Sequence, residues 1–450
     1  MIARLRNLLS QIGATFWLLP GFMVLGSVWA AIGLVQVDRD NLIPRYLLAG
    51  PWLYNGAATG ARTLLGAVAS STIGVAGTVF SITIAALSLA AGQMGPRLLH
   101  NFVRDRGNQF VLGAFLGTFS YALTVLRSIR AQGEGEFVPH LALSIAILLA
   151  LICVATLVYF VGHMAGRINV DTVIDLVSTD IHSAIRRLTT QEQQPEAPPS
   201  SYWRGATPIR DSRHGYLLQL DECGLANWAM QNRTAILLLA RPGGFVFPGA
   251  PIAMMTNPAE GADLALRNAT ALGPQRGSAA DLEFDIRQLV EVAVRALSPG
   301  INDPHTAISV LDHLGAALCE IAPVNLASGV ILHEGNAVLV VPCVDYDGLS
   351  DSMFHMIRQN AAGNAAVLIR MLEVLTAVAR CDRKPERLRA LRRHADLVFE
   401  DAARDISTPA DLQDVRDRRA LFESACKDGC GALVPQQNQE WLLSRSSPLR

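Results

Sequence analysis

The sequence is short of charge and almost without lysine. Of its 450 residues only 17% are Asp, Glu, Lys or Arg, against roughly 25% in an average soluble domain. The only lysines are Lys384 and Lys427. A Schiff-base or carrier lysine would have to be one of these two, in a polar tail, which argues against lysine-based covalent chemistry. The formal net charge is -1, so no basic excess points to nucleic acid as a partner. No cofactor is expected.

The missing charge is missing from particular places. No charged residue lies between Arg6 and Asp38, Arg62 and Arg97, Arg106 and Arg127, or Glu136 and Arg167. Each gap can hold the roughly 20 apolar residues that cross a bilayer. Beyond Arg167 no gap of that kind occurs. The spacing predicts spans near Thr15–Val37, Ala67–Ala91, Gln109–Leu126 and Leu141–Val161. The first apolar run continues to Val37, too far for a typical cleaved signal, so it is expected to remain as a span. No span carries a central Asp, Glu, Lys or Arg, which argues against a proton relay through buried carboxylates.

Arginine sets the expected orientation. With the N-terminus inside, the inner segments hold Arg4, Arg6, Arg97, Arg104, Arg106, Arg167, Arg186 and Arg187, and the outer loops hold Arg39, Arg45, Arg62, Arg127 and Arg130. This bias puts both termini in the cytoplasm. The cysteines beyond the spans are then expected to be reduced thiols. Cys426 and Cys430 have no second pair nearby, so a zinc site is not expected there.

The second span has a stripe of small residues. Ser70, Gly74, Gly77, Ser81 and Ser88 recur at spacings of three, four and seven, which puts them on one helix face. Gly113, Gly117, Ser120 and Thr124 form a shorter set in the third span. Small residues let membrane helices approach closely, the simpler reading. The alternative is a water-filled path in an oligomer, because hydroxyls and exposed carbonyls can replace water. Arg97, Arg104 and Arg106 follow the second span and suit lipid headgroup phosphates. The lipid bilayer is therefore one expected partner, and further copies of the chain another.

Past the spans, a helical extension and then a Pro- and Gln-rich linker, which is expected to be flexible, fill 171–202. An α+β domain is expected over 203–375, a charged helical tail over 376–435 and a disordered terminus over 436–450. "HGYLLQLD" and "TAILLLA" read as strands. "RPGGFVFPGAPIAMM" reads as strand, turn, strand and resembles the hairpin of biotinyl and lipoyl carriers, without their lysine. "AADLEFDIRQLVEVAVRAL" is an amphipathic helix that Asp281 can cap. "PERLRALRRHADLVFEDAARD" is a charged helix whose seam Leu388, Leu391, Ala395 and Val398 suits its own domain or a partner chain.

"RALSPGINDPHTA" joins two of these helices. Pro299 and Gly300 stop the first. Asn302 or Asp303 caps the second, with Pro304 in its first turn. The stretch is expected to be a structural corner. Its minority reading is a site for a small anion or phosphate-bearing ligand, built from Arg276, Arg295, Ser298, Asn302, Asp303 and His305 around free backbone N–H groups. A hydrolase built on Ser298, His305 and Asp303 is disfavoured, because the serine is not on a strand-to-helix elbow. His305, Asp312 and His313 lack a clear further metal ligand. No catalytic or metal residue is assigned.

This corner, the "RPGGFV" turn and "FSITIAALSLAAGQMGPRLL" in the second span closely resemble the domain-of-unknown-function 2254 family of bacterial membrane proteins. The resemblance runs from the first span to about Leu421. It implies four N-terminal spans and a soluble C-terminal portion, in the inner membrane, and it implies no known activity. Two functions from different classes are carried forward. One is an oligomeric channel or transporter-like pore regulated by the cytoplasmic domain. The other is a non-conducting anchor whose cytoplasmic domain senses or docks a partner.

Overall fold

The computed structural model describes residues 17–40, 57–94, 105–130, 137–167, 169–276 and 281–428. The chain forms two compact units that meet in sequence between Thr172 and Val173.

Among the described residues the first unit holds four helices: α1 (Leu18–Arg39), α2 (Ala58–Met94), α3 (Arg106–Ser128) and α4 (His140–Arg167). All four are long and apolar enough to cross a membrane. They coincide with the four charge-poor gaps, except that α2 begins nine residues before the predicted Ala67. At 37 residues it is about 55 Å long, well beyond a hydrocarbon core of about 30 Å. The central helix is α3, which packs against α1, α2 and α4. One core layer holds Leu65, Tyr121, Val125 and Leu143. A second holds Val79, Phe115, Cys153 and Phe160.

Two aspartates close the ends of this bundle. Asp38, at the end of α1, accepts hydrogen bonds from the backbone N–H groups of Leu141 (3.2 Å) and Ala142 (3.0 Å) in the first turn of α4. Asp105 caps α3 by accepting from Gly107 N (2.8 Å), and its second oxygen lies 2.6 Å from Nε2 of His163 near the end of α4. Both charges stand where a helix leaves donors unpaired and supply the acceptor.

The boundary falls in the first turn of α5 (Val170–Leu188), an amphipathic helix burying Val173, Ile174, Val177, Ile181 and Ile185. After it come strand β1 (Thr189–Thr190), a short 3-10 turn at Ser200–Trp203, and strands β2 (Thr207–Arg210) and β3 (Gly215–Leu220). Next are α6 (Glu222–Gln231), β4 (Ile236–Leu238), β5 (Phe245–Val246), β6 (Pro251–Met255), α7 (Ala262–Ala269) and β7 (Thr270–Gly273). The predicted linker is tied at its start, where β1 pairs antiparallel with β8 (Asn325–Leu326).

Two sheets form around one apolar core. The larger has the order β2-β6-β4-β10-β9, with β9 (Val330–His333) and β10 (Asn336–Val340). Only the β4–β10 pair is parallel; the other neighbours are antiparallel. The smaller sheet is β5-β3-β7. The expected strand-turn-strand hairpin is corrected here. The strands β5 and β6 exist, but β5 pairs with β3 and β6 with β2 and β4, so the turn carries the chain from one sheet to the other. Gly243 (φ 83°) and Gly249 (φ 77°) make the required left-handed bends.

A helical layer completes the unit: α8 (Leu282–Ala296), α9 (Pro304–Ile321), α10 (Tyr346–Asn360), α11 (Ala365–Cys381), α12 (Pro385–Asp405) and α13 (Pro409–Asp428). The charged helix α12 packs on α10 and α11 of its own unit. Its buried seam includes Leu391, Ala395 and Val398, as read from the sequence, and also His394, Arg387 and Asp401. The buried charges are paired: Arg358 binds Asp401, and Arg387 meets Asp382 at 3.0 Å.

Candidate functional site

The face of α2 that carries the small residues points away from the bundle. Ser70, Gly74, Gly77, Ser81 and Ser88 are all exposed. A side chain added at Gly74 or Gly77 would meet nothing within 4 Å. The packed face is the opposite one, with Ala58, Ala61, Leu65, Ala69, Ala76 and Val79 buried. The close approach expected of small residues occurs on α3 instead. A Cβ on Gly113 would fall 2.5 Å from Sδ of Met23, and one on Gly117 would fall 2.7 Å from Oγ of Ser27. So the third-span set packs against α1, while the second-span set has no partner within the described residues of its unit. Two serine hydroxyls of this face are satisfied locally: Ser70 donates to Ala67 O (3.2 Å) and Ser81 to Gly77 O (2.9 Å).

Arg106 opens α3 and is exposed; Arg97 and Arg104 lie outside the described residues. Cys430 and the 436–450 segment lie outside them as well.

The corner between α8 and α9 follows the predicted grammar. The Asp303 side chain accepts from the N–H of His305 (3.1 Å) and Thr306 (3.2 Å), and from the Thr306 hydroxyl (2.6 Å), with Pro304 in the first turn. The hydroxyl bond and the two N–H groups hold the Asp303 carboxyl below its ordinary range. Asn302, at φ 50°, is the left-handed residue. Gly300 is not among the positive-φ positions, and a Cβ there would meet open space. Asp281 precedes α8 but makes no side-chain cap; its carboxylate is drawn to Nε of Arg276 at 2.5 Å.

The six residues considered for an anion site are not gathered in one place. Arg276 sits at the start of α8 with Asp281 and Glu283. Arg295 is at the other end, 3.5 Å from Glu291, which is about 20 Å along the helix. Ser298 donates to Arg295 O (2.6 Å), and His305 is exposed. The Asp303 carboxylate already occupies the free N–H groups that an anion would use. Nor do Ser298, His305 and Asp303 form a nucleophile–base pair by any contact described. Asp312 bonds Arg370 (2.6 Å) and His313 bonds Ser178 (3.0 Å), so that trio is dispersed too.

A set of titratable contacts at α5 was not singled out in the sequence. His182 binds Glu320 of α9, and Nε2 of His313 lies 3.5 Å from Asp175. On α8, Asp285 is only 4% exposed. Burial first, then the charges of Asp180 and Asp281, push its carboxyl up to about 7. Nearby Glu283 behaves oppositely. Burial opposes its ionisation, but Arg241, Arg287 and Arg276 outweigh that and hold its carboxyl low. The only sequence signal for this cluster was acidic residues on what would otherwise be an apolar-faced helix.

The predicted membrane protein family DUF2254 matches residues 13–377 of this chain. An uncharacterized protein of Mycobacterium tuberculosis strain H37Rv is 31% identical over 427 residues, covering 91% of this chain and 80% of the relative. An uncharacterized protein of Mycobacterium bovis has the same identity and coverage, again 31% over 427 residues. No solved structure matches the chain.

Proposed function

This chain belongs to the DUF2254 family of predicted membrane proteins, and from that premise we propose that it is an oligomeric channel or transporter-like pore regulated by its C-terminal domain. In this reading it lies in the bacterial inner membrane with both termini in the cytoplasm. The observation that carries the reading is the outward face of α2. A protomer with Gly74, Gly77, Ser81 and Ser88 facing out has a surface on which another helix can approach closely. Copies arranged around that face would bring hydroxyls and glycine-exposed carbonyls to a common axis, groups suited to replace water around a solute.

Regulation would enter through α5, whose first residue, Val170, follows Arg167 at the end of α4 by only three positions. Its contacts with α9 run through His182–Glu320 and His313–Asp175. The second reading, a non-conducting anchor for a sensor or docking domain, is supported by the serine hydroxyls. Ser70 and Ser81 already bond their own helix, so the face needs no water and can rest on lipid or on a neighbouring helix.

Purified protein in planar bilayers separates the two. A pore gives currents that Ser81→Leu or Ser88→Leu blocks at normal expression, and a water-soluble thiol reagent labels cysteines placed at Ser70, Gly77, Ser81 and Ser88. Silence across salts, voltages and tension, with no labelling on that face, leaves the anchor. Reporter fusions at Gln132 and Gln194 test the orientation; an external Gln194 overturns it.

A further inference from the structure

The helices α10 and α12 bring two imidazoles and a carboxylate together. Asp351 and His355 are four residues apart on α10 and so share a face. His394 of α12 faces them. The ligand atoms of the three all lie within 4.8 Å of one another. Nε2 of His394 is 3.0 Å, and Nε2 of His355 is 3.4 Å, from the same oxygen, Oδ1 of Asp351. The two rings meet edge-on with centroids 5.2 Å apart, and the Phe354 ring also meets His394 edge-on, at 5.5 Å.

His394 is the unusual member. It is 0% exposed; its Nδ1 has no hydrogen-bond partner, and its Nε2 faces Asp351 Oδ1 at 3.0 Å without making a hydrogen bond to it. Nδ1 of His355 is likewise buried without one. Buried polar atoms are nearly always satisfied. Each neutral imidazole carries one available lone pair, so His355 and His394 can offer two nitrogen donors beside the Asp351 carboxylate, one ligand atom from each residue. We propose that Asp351, His355 and His394 bind a divalent transition-metal ion of the zinc class.

The donor chemistry selects that class. Imidazole suits Zn²⁺ and its first-row neighbours, whereas Mg²⁺ and Ca²⁺ prefer oxygen alone. Bonds of about 2.0–2.2 Å in a tetrahedron hold ligand atoms about 3.3 Å apart. The observed 3.0 and 3.4 Å separations fall on either side of that value. Asp351 and His355 keep 34% and 35% of their side chains exposed, so an ion has a route in and an open fourth position for water or a ligand. The competing cation is Arg393, which contacts Oδ1 of Asp351 at 2.5 Å and Asp347 at 2.9 Å. On metal binding its guanidinium keeps Asp347 and releases Asp351. The ion would cross-link α10 to α12, whatever the membrane unit conducts.

The test uses the full chain in detergent, with an affinity tag free of histidine, stripped with EDTA and titrated with Zn²⁺ and Co²⁺. One equivalent of tightly held metal per chain is expected, with a Co²⁺ spectrum of four-coordinate nitrogen and oxygen ligation. His355→Ala and Asp351→Asn, at half-exposed positions that leave the core in place, should each weaken binding by about tenfold or more. A thiolate charge-transfer band in the Co²⁺ spectrum, or uptake by wild type no tighter than by His355→Ala, overturns the proposal. His394→Ala, if it folds, must also lose the metal.

Discussion

The helices α2 and α3 both carry glycine at membrane-helix spacing, and the bundle treats them in opposite ways. On α3, Gly113 and Gly117 are places where α1 comes so close that a methyl group would collide with Met23 or Ser27. On α2, Gly74 and Gly77 border open space. The same residue type thus serves internal packing in one helix and leaves an unfilled outer face in the other. Periodicity alone cannot tell these apart. A glycine stripe announces that something approaches, and only the packing partners show whether that something belongs to the same chain. The second unit repeats the first case: a Cβ on Gly315 of α9 would fall 2.5 Å from Cγ1 of Val374 on α11.

The comparison is most sharply broken at α3. Gly113→Leu should destabilise the four-helix unit by about 3 kcal/mol or more, the upper end of overpacking penalties, because both the Met23 side chain and the Pro20 backbone stand in the way. Gly117→Leu should follow closely. Thermal or denaturant unfolding in detergent reads both. If either variant unfolds like wild type, α1 and α3 are not packed as described, and the contrast with α2 collapses.

A second contrast lies between the acids of the two units. Asp38 and Asp105 sit at helix ends that supply N–H donors. Asp285, although in the first turn of α8, is buried beside the carboxyls of Asp180 and Asp281, with its pKa raised from 3.8 to about 7. The native state therefore keeps this proton up to about pH 7, while the unfolded chain releases it near pH 4. Between these values the native state binds more protons, so the contribution of Asp285 to stability is greatest below about pH 4 and declines as pH rises to about 7. The full interval corresponds to about 4 kcal/mol. Relaxation and water entry reduce this, and Asp285→Asn should stabilise the protein at pH 8 by about 2 kcal/mol while flattening its pH profile. Melting curves from pH 5 to 8 check it. An Asn variant with the wild-type slope would place the responsible proton elsewhere.

Much of the fold was legible because it rests on local patterns. Charge-free gaps marked four spans, and "HGYLLQLD", "TAILLLA" and the helix beginning at Pro304 lie where their patterns place them. What escaped depends on distant partners. The turn at Gly249 looks like a hairpin, but strand pairing is settled by long-range contacts, and β5 and β6 join different sheets. Asp281 looks like a cap until Arg276 claims its carboxylate. Asp351 and His355 show the i,i+4 spacing of a ligand pair, but His394 joins them only because α12 folds back onto α10.

The corner offers a milder test of the same idea. Asp303→Ala removes three hydrogen bonds at the start of α9 and should cost about 1 kcal/mol as a lost cap. Gly300→Ala should stay within about 0.5 kcal/mol of wild type, because its space is open. The left-handed position is Asn302, so Asn302→Val is the costly substitution here. Chemical unfolding of the three variants ranks them. A large loss at Gly300 would mean that the turn is wound differently.

The smallest stability change is expected on α2. A leucine at Gly77 meets no atom of its own unit, so the folding of the protomer should change by less than about 0.5 kcal/mol. What should change is assembly. In an oligomer built on this face, the added side chain occupies the space in which a neighbouring helix sits, and a bulky group at a close helix contact separates the backbones. Gly74→Leu and Gly77→Leu should therefore shift the protein toward monomers in mass measurements on native nanodiscs, with unfolding midpoints unchanged. Gly113→Leu should do the reverse, lowering the midpoint with no selective effect on assembly. If Gly77→Leu leaves both the midpoint and the oligomeric state untouched, lipid covers the face, and the anchor reading gains what the pore reading loses.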